Sequence, residues 1–595
     1  MSMLKTKQRL LYTKQTNDLW ENLVSKLNCE TDTSYFWKQI KIMCGTQRPA
    51  TNYIKDNQGN RIYNTREQTE IFRRHLQEVH EEDSDDDEYD RDNLERVENY
   101  INENNSDFQS YQSPDLERLN NECPPISTEE IKKIIKYSKQ NAPGPSGITK
   151  AYLENLPTNM INYLKVIYNN SLALGYYPKI FKEAKIILIP KDKRSTHNYE
   201  KYREISLLET HGKVFGKILN RRLTDYLEEN ELMNPRKHGF RRTRGTGTAH
   251  VVFWETVANN INNKYRTDIV LRDVAIAFDK VWHNGLKFKI SQIPLHQCLK
   301  RILYSYLDER IARINLREVT SNSIMIRAGV PHGASLSATL YAFYTADMPE
   351  PLYNTDYIAY ADDITQIIRN PNKSVSLIAR TTCSAIEQIN AYEKRWKIKT
   401  NMNIFKLLQI SRRKSENFET TTGDYIRYEN TGKMLGLKIN NTGFIPQMNH
   451  RIKLAEVALN KIIRFKKLSM NNKLMLYKAT VRPVLIYPII PLNVISFSQN
   501  YNLQKVQNKF LRFATNTTWD QCRTAESLHA RVNLEAINIV IHRQAKNTWE
   551  KIQENHPEIY EKICEETPER RTNQRFPSSR QKAEGPEPRP IYTRR

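Results

Sequence analysis

The chain is poor in cysteine, glycine and long apolar runs. Its seven cysteines (Cys29, Cys44, Cys123, Cys298, Cys383, Cys522, Cys564) are scattered over 595 residues without a CxxC pair. That spacing argues against a disulfide scaffold or a zinc knuckle and suits reduced intracellular thiols. The longest apolar stretch, Val484 to Phe497, is broken by Pro488 and Pro491 and is too short to span a bilayer, so no membrane partner is expected. The start, MSMLKTKQRLLYTKQ, has no apolar core, and no secretory signal is expected from it. Acid is also in deficit: 67 Asp and Glu face 91 Lys and Arg, a formal charge of +24. The leading partner for such an excess is a polyanion, because cations placed on phosphates release counterions. A merely soluble basic surface is the alternative until a motif decides.

What the chain does have is core material. It is 39% hydrophobic and 10% aromatic, with 32 Tyr against 18 Gly, and its length suits about four domain-sized units. Residues 1–80 read as amphipathic helices, with Trp20, Leu23 and Leu27 on one face and Phe36, Trp37 and Ile40 in the next segment. The run Glu81 to Asp90 is almost wholly acidic. It lacks the spacing and turn glycine of a calcium loop and reads as a solvated flexible linker. Ser127 and Glu130 form a capping box ahead of Ile131, Ile134 and Ile135, and the helix ends at the turn cluster Asn141 to Gly147. A strand over Ile186–Ile189, a helix over Leu207–Leu227, strands at Ile269–Val274 and Asp356–Ile368, and a lysine-rich helix over Ile452–Leu468 follow. The tail from Glu566 is rich in Pro, Arg and Ser and reads as disordered.

Two acidic clusters carry chemistry. Asp273-Val-Ala-Ile-Ala-Phe-Asp279 ends a β-type run, and Tyr360-Ala-Asp-Asp363 joins two apolar stretches into an expected hairpin with acids at its tip. Asp273 beside Asp362 and Asp363 would be costly unaided, since clustered carboxylates repel and hold protons. Two Mg²⁺ ions would remove that repulsion and supply the paired clamps that nucleotidyl transfer needs, and oxygen-only ligation suits Mg²⁺ better than zinc.

The order of the motifs carries a resemblance. Ala142-Pro-Gly-Pro-Ser-Gly-Ile148, Ile187-Leu-Ile-Pro-Lys191, Tyr202-Arg-Glu-Ile-Ser-Leu-Leu208, Gly212-Lys213 and His238-Gly-Phe-Arg241 precede the first acidic cluster. Gly329-Val-Pro-His-Gly-Ala-Ser-Leu-Ser337, the Tyr360–Asp363 block, Trp396-Lys-Ile-Lys-Thr-Asn401 and Met434-Leu-Gly-Leu437 follow it. From about residue 15 to 560 the chain resembles the reverse transcriptase of non-LTR (LINE-type) retrotransposons, most like the Jockey group. The resemblance implies an α+β right-hand polymerase of fingers, palm and thumb. Its implied segments are a helical extension at 1–80 resembling the endonuclease–polymerase linker, an acidic flexible linker at 81–120, fingers at 121–256 and palm at 257–440. Thumb at 441–530, a helical segment at 531–565 and the disordered tail at 566–595 complete it. It further implies a chain lacking the family's N-terminal endonuclease.

Carried over by residue, Asp273 and Asp362 would hold the metals with Asp363 assisting, Mn²⁺ being able to substitute for Mg²⁺. Lys191 and Arg203 would grip the triphosphate, and Phe278 would crowd the sugar 2′ position and favour dNTPs. Gly329, Pro331 and Gly333 would admit the nascent base pair, with His332 beside the incoming base. Lys453, Lys461, Lys466 and Lys467 would read phosphates without sequence preference. The implied partners are an RNA template, a DNA primer or target and dNTPs; the implied compartments are nucleus and cytoplasm, with no targeting signal identified.

Several positions depart from the family pattern. Ser146 stands for Asp, Glu204 for Pro, His332 for Gln, Ala338 for Pro and Ile404 for Lys, with Lys406 two positions on. Two function classes therefore stay open: an RNA-directed DNA polymerase of a mobile element, and a catalytically weak nucleic-acid-binding remnant of one. A DNA-templated repair polymerase is the least supported.

Overall fold

The structure, a computed structural model, describes residues 52–82, 88–111, 113, 117, 123–138, 142–191, 196–372, 374–410, 418–419, 425–440, 445–464, 466, 468–518, 524–566 and 578–592. Among these residues two five-stranded sheets position the site. The first has the order Tyr428–Glu429, Lys406–Ile410, Arg266–Asp273, Asp363–Asn370, Thr355–Tyr360. Its central strand is antiparallel to both neighbours.

Side chains on this sheet alternate between two faces, as the pleat requires. Ile269, Leu271, Ile367 and Leu408 pack under the Thr246–Asn262 helix through Ala249, Phe253 and Val257. Val270, Ile368 and Leu407 pack on the other side against Ile378, Ala385 and Ile386 of the Val375–Arg395 helix. Covered on both faces, the central strand is buried from Arg266 to Arg272 and surfaces only at Asp273. This strand therefore delivers one carboxylate to its end and nothing else to solvent.

The second sheet pairs Ala184–Pro190 antiparallel with Tyr202–Leu208 and parallel with Arg310–Leu316, to which Ile324–Ile326 is added. The Thr65–Val79 helix closes it with Phe72 and Leu76 against Ile186, Leu208, Ala312 and Ile314. Between the sheets lies a helical core built from Arg91–Glu103, Thr128–Tyr137, Thr158–Leu174, Thr210–Glu229, His283–Ser291, Gln297–Leu307 and Ser335–Tyr344. A separate bundle follows, in which Ala455 and Leu459 of the Ile445–Ile462 helix pack with Leu503 and Phe510 of Phe497–Thr515. No described helix is long and apolar enough to cross a membrane.

Several expectations need correction. Residues 1–51 lie outside the described residues, and the start of the described chain is a hairpin, Ile54–Lys55 with Arg61–Ile62, where helix was expected. Asp56 explains it: its carboxylate takes the N–H groups of Gln58 (3.0 Å) and Asn60 (2.8 Å), closing a turn around Gly59 at φ +85°. The expected linker over 81–120 contains the Arg91–Glu103 helix, N-capped by Asp90 and inserted into the core by Leu94 and Val97; residues 83–87 lie outside the described residues. Charge density hid an amphipathic stripe there.

The expected disordered tail contains the Ser579–Glu584 helix, whose Ala583 is buried beside Trp549, while residues 567–577 and 593–595 lie outside the described ones. The lysine-rich helix ends at Ile462, before the expected Leu468. The expected fingers–palm boundary at 256/257 cuts through the Thr246–Asn262 helix, and Arg310–Leu316 belongs to the second sheet although it falls within the segment expected as palm.

Candidate active site

Asp273 is the last residue of its strand and stands directly across from Asp363, the first residue of the next. Directly opposed residues of antiparallel strands share a face, so register alone brings these carboxylates together. Between the hairpin strands the chain turns through Ala361 at φ +55° and Asp362, and the Asp362 carbonyl accepts the Val274 N–H at 3.1 Å. The turn is buttressed by the His238-Gly239 segment. His238 donates its N–H to the Ala359 carbonyl (2.8 Å) and Ala359 returns one to Arg236 (3.0 Å). A Cβ on Gly239 would lie 2.4 Å from the Ala361 nitrogen, so only glycine lets this segment reach the turn. The His238 ring is buried against Thr248 Oγ1, and burial pushes its pKa down to about 3; it is a neutral support.

The carboxylates repel one another as expected. Burial, then the Asp362 charge, raises Asp273 to about 6, with Lys191 pulling the other way. Burial, then Asp362 and Asp273, raises Asp363 to about 7 against the pull of Lys433. Among the described residues none of the three is in an ion pair. An oxygen-only donor set short of positive charge fits hard divalent cations. Beside Asp363 opens a cavity of about 440 Å³ lined by Arg272, Lys406, Lys433 and Lys438, with Ile404 at its wall. Ile404 is 48% exposed.

Other motifs converge nearby. The Phe278 ring is stacked on Tyr341 (4.9 Å between centroids), edge-on to Phe240 (5.7 Å) and tilted to His332 (4.9 Å). Gly329 (φ +91°) and Gly333 (φ +98°) shape the turn that carries His332. That turn docks by Val330 N–H to the Phe278 carbonyl (2.7 Å) and Gly329 N–H to the Val281 carbonyl (2.8 Å). A Cβ on Gly329 would meet the Asp279 backbone at 2.5 Å. Lys191 follows the Ala184–Pro190 strand and Arg203 lies on Tyr202–Leu208; both are exposed, and the Lys191 charge reaches Asp273 and Asp279. Lys453, Lys461 and Lys466 are exposed on or just beyond the Ile445–Ile462 helix, away from the carboxylates in sequence and core; Lys467 lies outside the described residues.

The departure at Ser146 has a structural use. Its N–H reaches Glu209 Oε1 at 2.7 Å and its hydroxyl reaches Oε2, which ties the 142–148 segment to the head of the Thr210–Glu229 helix. Lys213 Nζ adds a bond to the Ala142 carbonyl at 2.6 Å. Sequence reasoning assigns no role to His80, Glu204 or Asp279, which the structure gathers with their ligand-capable atoms within 4.8 Å of one another. Asp279 closes the first acidic cluster and Glu204 is a departure, so each left a trace in the sequence; His80, a lone histidine ahead of an acidic run, left none.

This architecture sets a carboxylate hairpin among basic and aromatic contacts, an arrangement suited to metal-assisted nucleotidyl transfer. Residues 189–439 match the family described as reverse transcriptase (RNA-dependent DNA polymerase). The chain is 28% identical over 473 residues to the probable RNA-directed DNA polymerase from transposon BS of Drosophila melanogaster, covering 75% of this chain and 51% of that protein. It is 24% identical over 559 residues to the RNA-directed DNA polymerase from mobile element jockey of Drosophila funebris, covering 90% and 58%. A solved telomerase from Candida tropicalis in complex with a telomeric RNA fragment is similar at 13% identity and a TM-score of 0.36, covering 69% of each chain. Residues 189–439 thus match a reverse transcriptase domain, and the chain is similar to jockey-type non-LTR retrotransposon polymerases. It spans about half the length of the curated relatives it matches.

Proposed function

We propose that the chain is the RNA-directed DNA polymerase of a mobile element, extending a DNA primer on an RNA template with dNTPs. The observation that carries this reading is the convergence of Asp273, Asp362 and Asp363 at one hairpin tip, where burial and mutual repulsion raise Asp273 and Asp363. The three carboxylates would hold two divalent ions, Mg²⁺ with Mn²⁺ able to substitute. When bound, such ions clamp the attacking 3′-oxygen and the phosphates of the incoming nucleotide. Lys191 and Arg203 orient the triphosphate with cationic donors. Phe278, held by Tyr341 and Phe240, places a ring where a ribose 2′-hydroxyl would clash. Gly333 keeps the backbone open at the base pair, and Lys453, Lys461, Lys466 and Lys467 hold template–primer phosphates. The reading carries with it the nucleus and the cytoplasm as compartments, where such a polymerase would meet element RNA and target DNA.

The substituted Ile404 at the cavity wall favours the second reading, a nucleic-acid-binding remnant. Primer extension on an RNA template with Mg²⁺ and dNTPs separates the two. Extension supports the polymerase; tight template–primer binding with no product, in Mg²⁺ and in Mn²⁺, selects the remnant.

A further inference from the structure

Two departures from the family pattern, Glu204 and His332, lie 128 positions apart and meet in one buried place. The turn carrying His332 is pinned to the strand carrying Glu204, since the His332 carbonyl accepts the Ser206 N–H at 3.0 Å. Glu204 Oε2 lies 3.2 Å from His80 Nε2, and His80 Nδ1 lies 3.0 Å from the Ala328 carbonyl. A carbonyl only accepts, so Nδ1 bears a proton; Nε2, facing a carboxylate, bears the other. His80 is an imidazolium here. Its pKa is raised although burial works against it, because Glu204 and the Asp279 charge outweigh burial. Asp279 in turn lies 3.2 Å from His332 Nε2 and stays below the usual carboxylate range despite burial, held there by His332, then His80 and Lys191.

The four groups alternate between carboxylate and imidazole: Glu204, His80, Asp279, His332. The ring at the end of this series contacts Phe278 at 4.9 Å. His80, Glu204 and Asp279 could in principle take a transition metal. The His80 imidazolium already faces Glu204 and Asp279, however, so a dication would have to displace its proton.

We infer that Glu204, His80 and Asp279 are positioning residues that hold His332 against Phe278, so that Glu204 acts on nucleotide selection through two intervening side chains. This rests on the polymerase reading. It also makes Glu204 and His332 matched replacements. Glu204→Gln removes the carboxylate that faces His80, and His332→Gln removes the ring that Asp279 holds. Because Glu204 acts only through that ring, its replacement should add little once His332 has gone.

The test is the affinity of the next dNTP, and of the matching rNTP, for the protein on an RNA template with a dideoxy-terminated DNA primer, where no chemistry is needed. Each single variant is expected to weaken dNTP binding about threefold or more and to change the dNTP:rNTP ratio. The double variant should lose no more than the His332→Gln single, and Glu204→Asp should behave as the parent. Singles that simply multiply in the double, or a Glu204→Gln variant with unaltered affinity and ratio, would overturn the inference. If the parent binds no dNTP, the polymerase reading fails separately. Thermal unfolding of the same four proteins then decides: the double should lose less than the two singles together, and additive losses overturn the coupling. Stoichiometric retention of Zn²⁺ by the parent, lost in Glu204→Gln, would also overturn it by making the cluster a metal site.

Discussion

The molecule contains two buried groups of acids that behave in opposite ways. At the palm hairpin, Asp273 and Asp363 are raised to about 6 and about 7, and no side-chain cation among the described residues is bonded to them. At the junction with the fingers, Asp279 is more deeply buried than either and yet is lowered, because two histidines face the carboxylates there. Burial alone therefore does not identify a cation site. A carboxylate cluster left without protein cations does, and by that criterion the hairpin is where bound cations would act, while the junction is balanced by the protein itself.

The largest expected effect breaks the first half of this contrast. Asp273→Asn or Asp362→Asn should lower single-turnover primer extension about 1,000-fold or more, since metal clamps supply several kcal/mol of transition-state stabilisation. Template–primer affinity should stay near that of the parent, because the exposed lysines proposed to read phosphates are untouched. Wild-type extension by either variant would remove the hairpin from the chemistry.

Next in size is the junction. Asp279→Asn removes the carboxylate that faces His332 and the His80 imidazolium, and removing one partner of a buried ion pair typically costs about 3–5 kcal/mol. Denaturant unfolding should report a loss of that order. A negligible change would mean that the two histidines are not what holds Asp279 down. Smaller again is the gate between the two regions. Phe278→Val should raise rNTP relative to dNTP incorporation about tenfold, the scale on which shape selection in an apolar pocket operates; an unchanged ratio would return Phe278 to the core.

What could be read from the sequence follows the same divide. The hairpin was legible because its determinants are local: two apolar runs, an Asp-Asp turn, and an antiparallel register that brings Asp363 opposite Asp273. The Ser127 cap and its helix were legible for the same reason, although Glu130 pairs with Arg222 at 3.3 Å where a full capping box would have it reach back. The junction was not legible, since its four groups come from four distant segments and only tertiary packing makes them neighbours. The helix at Arg91–Glu103 and the ordered tail were missed because composition was allowed to outweigh a buried stripe of a few residues, Leu94 and Val97 in one case and Ala583 in the other.

The smallest effect sharpens the contrast by titration. A carboxylate whose pKa is raised on folding binds more protons in the folded state than in the unfolded one, between the ordinary value near 4 and the folded value. Stability then falls as pH rises through that interval, the reverse of an ion-paired carboxylate such as Asp279. For Asp273 and Asp363 the interval runs from about 4 to about 7. In chelator, the unfolding transition of the palm should therefore drift downward with rising pH more steeply in the parent than in Asp363→Asn, which has lost one of the repelling charges. At pH 8 without metal, Asp363→Asn should unfold about 1 °C above the parent, roughly 1 kcal/mol in a chain of this size. Saturating Mg²⁺ should reverse the order, because the parent alone then regains its full set of ligands. The same variant is thus stabilising without divalent cations and destabilising with them, a sign change that a purely structural role for Asp363 would not produce.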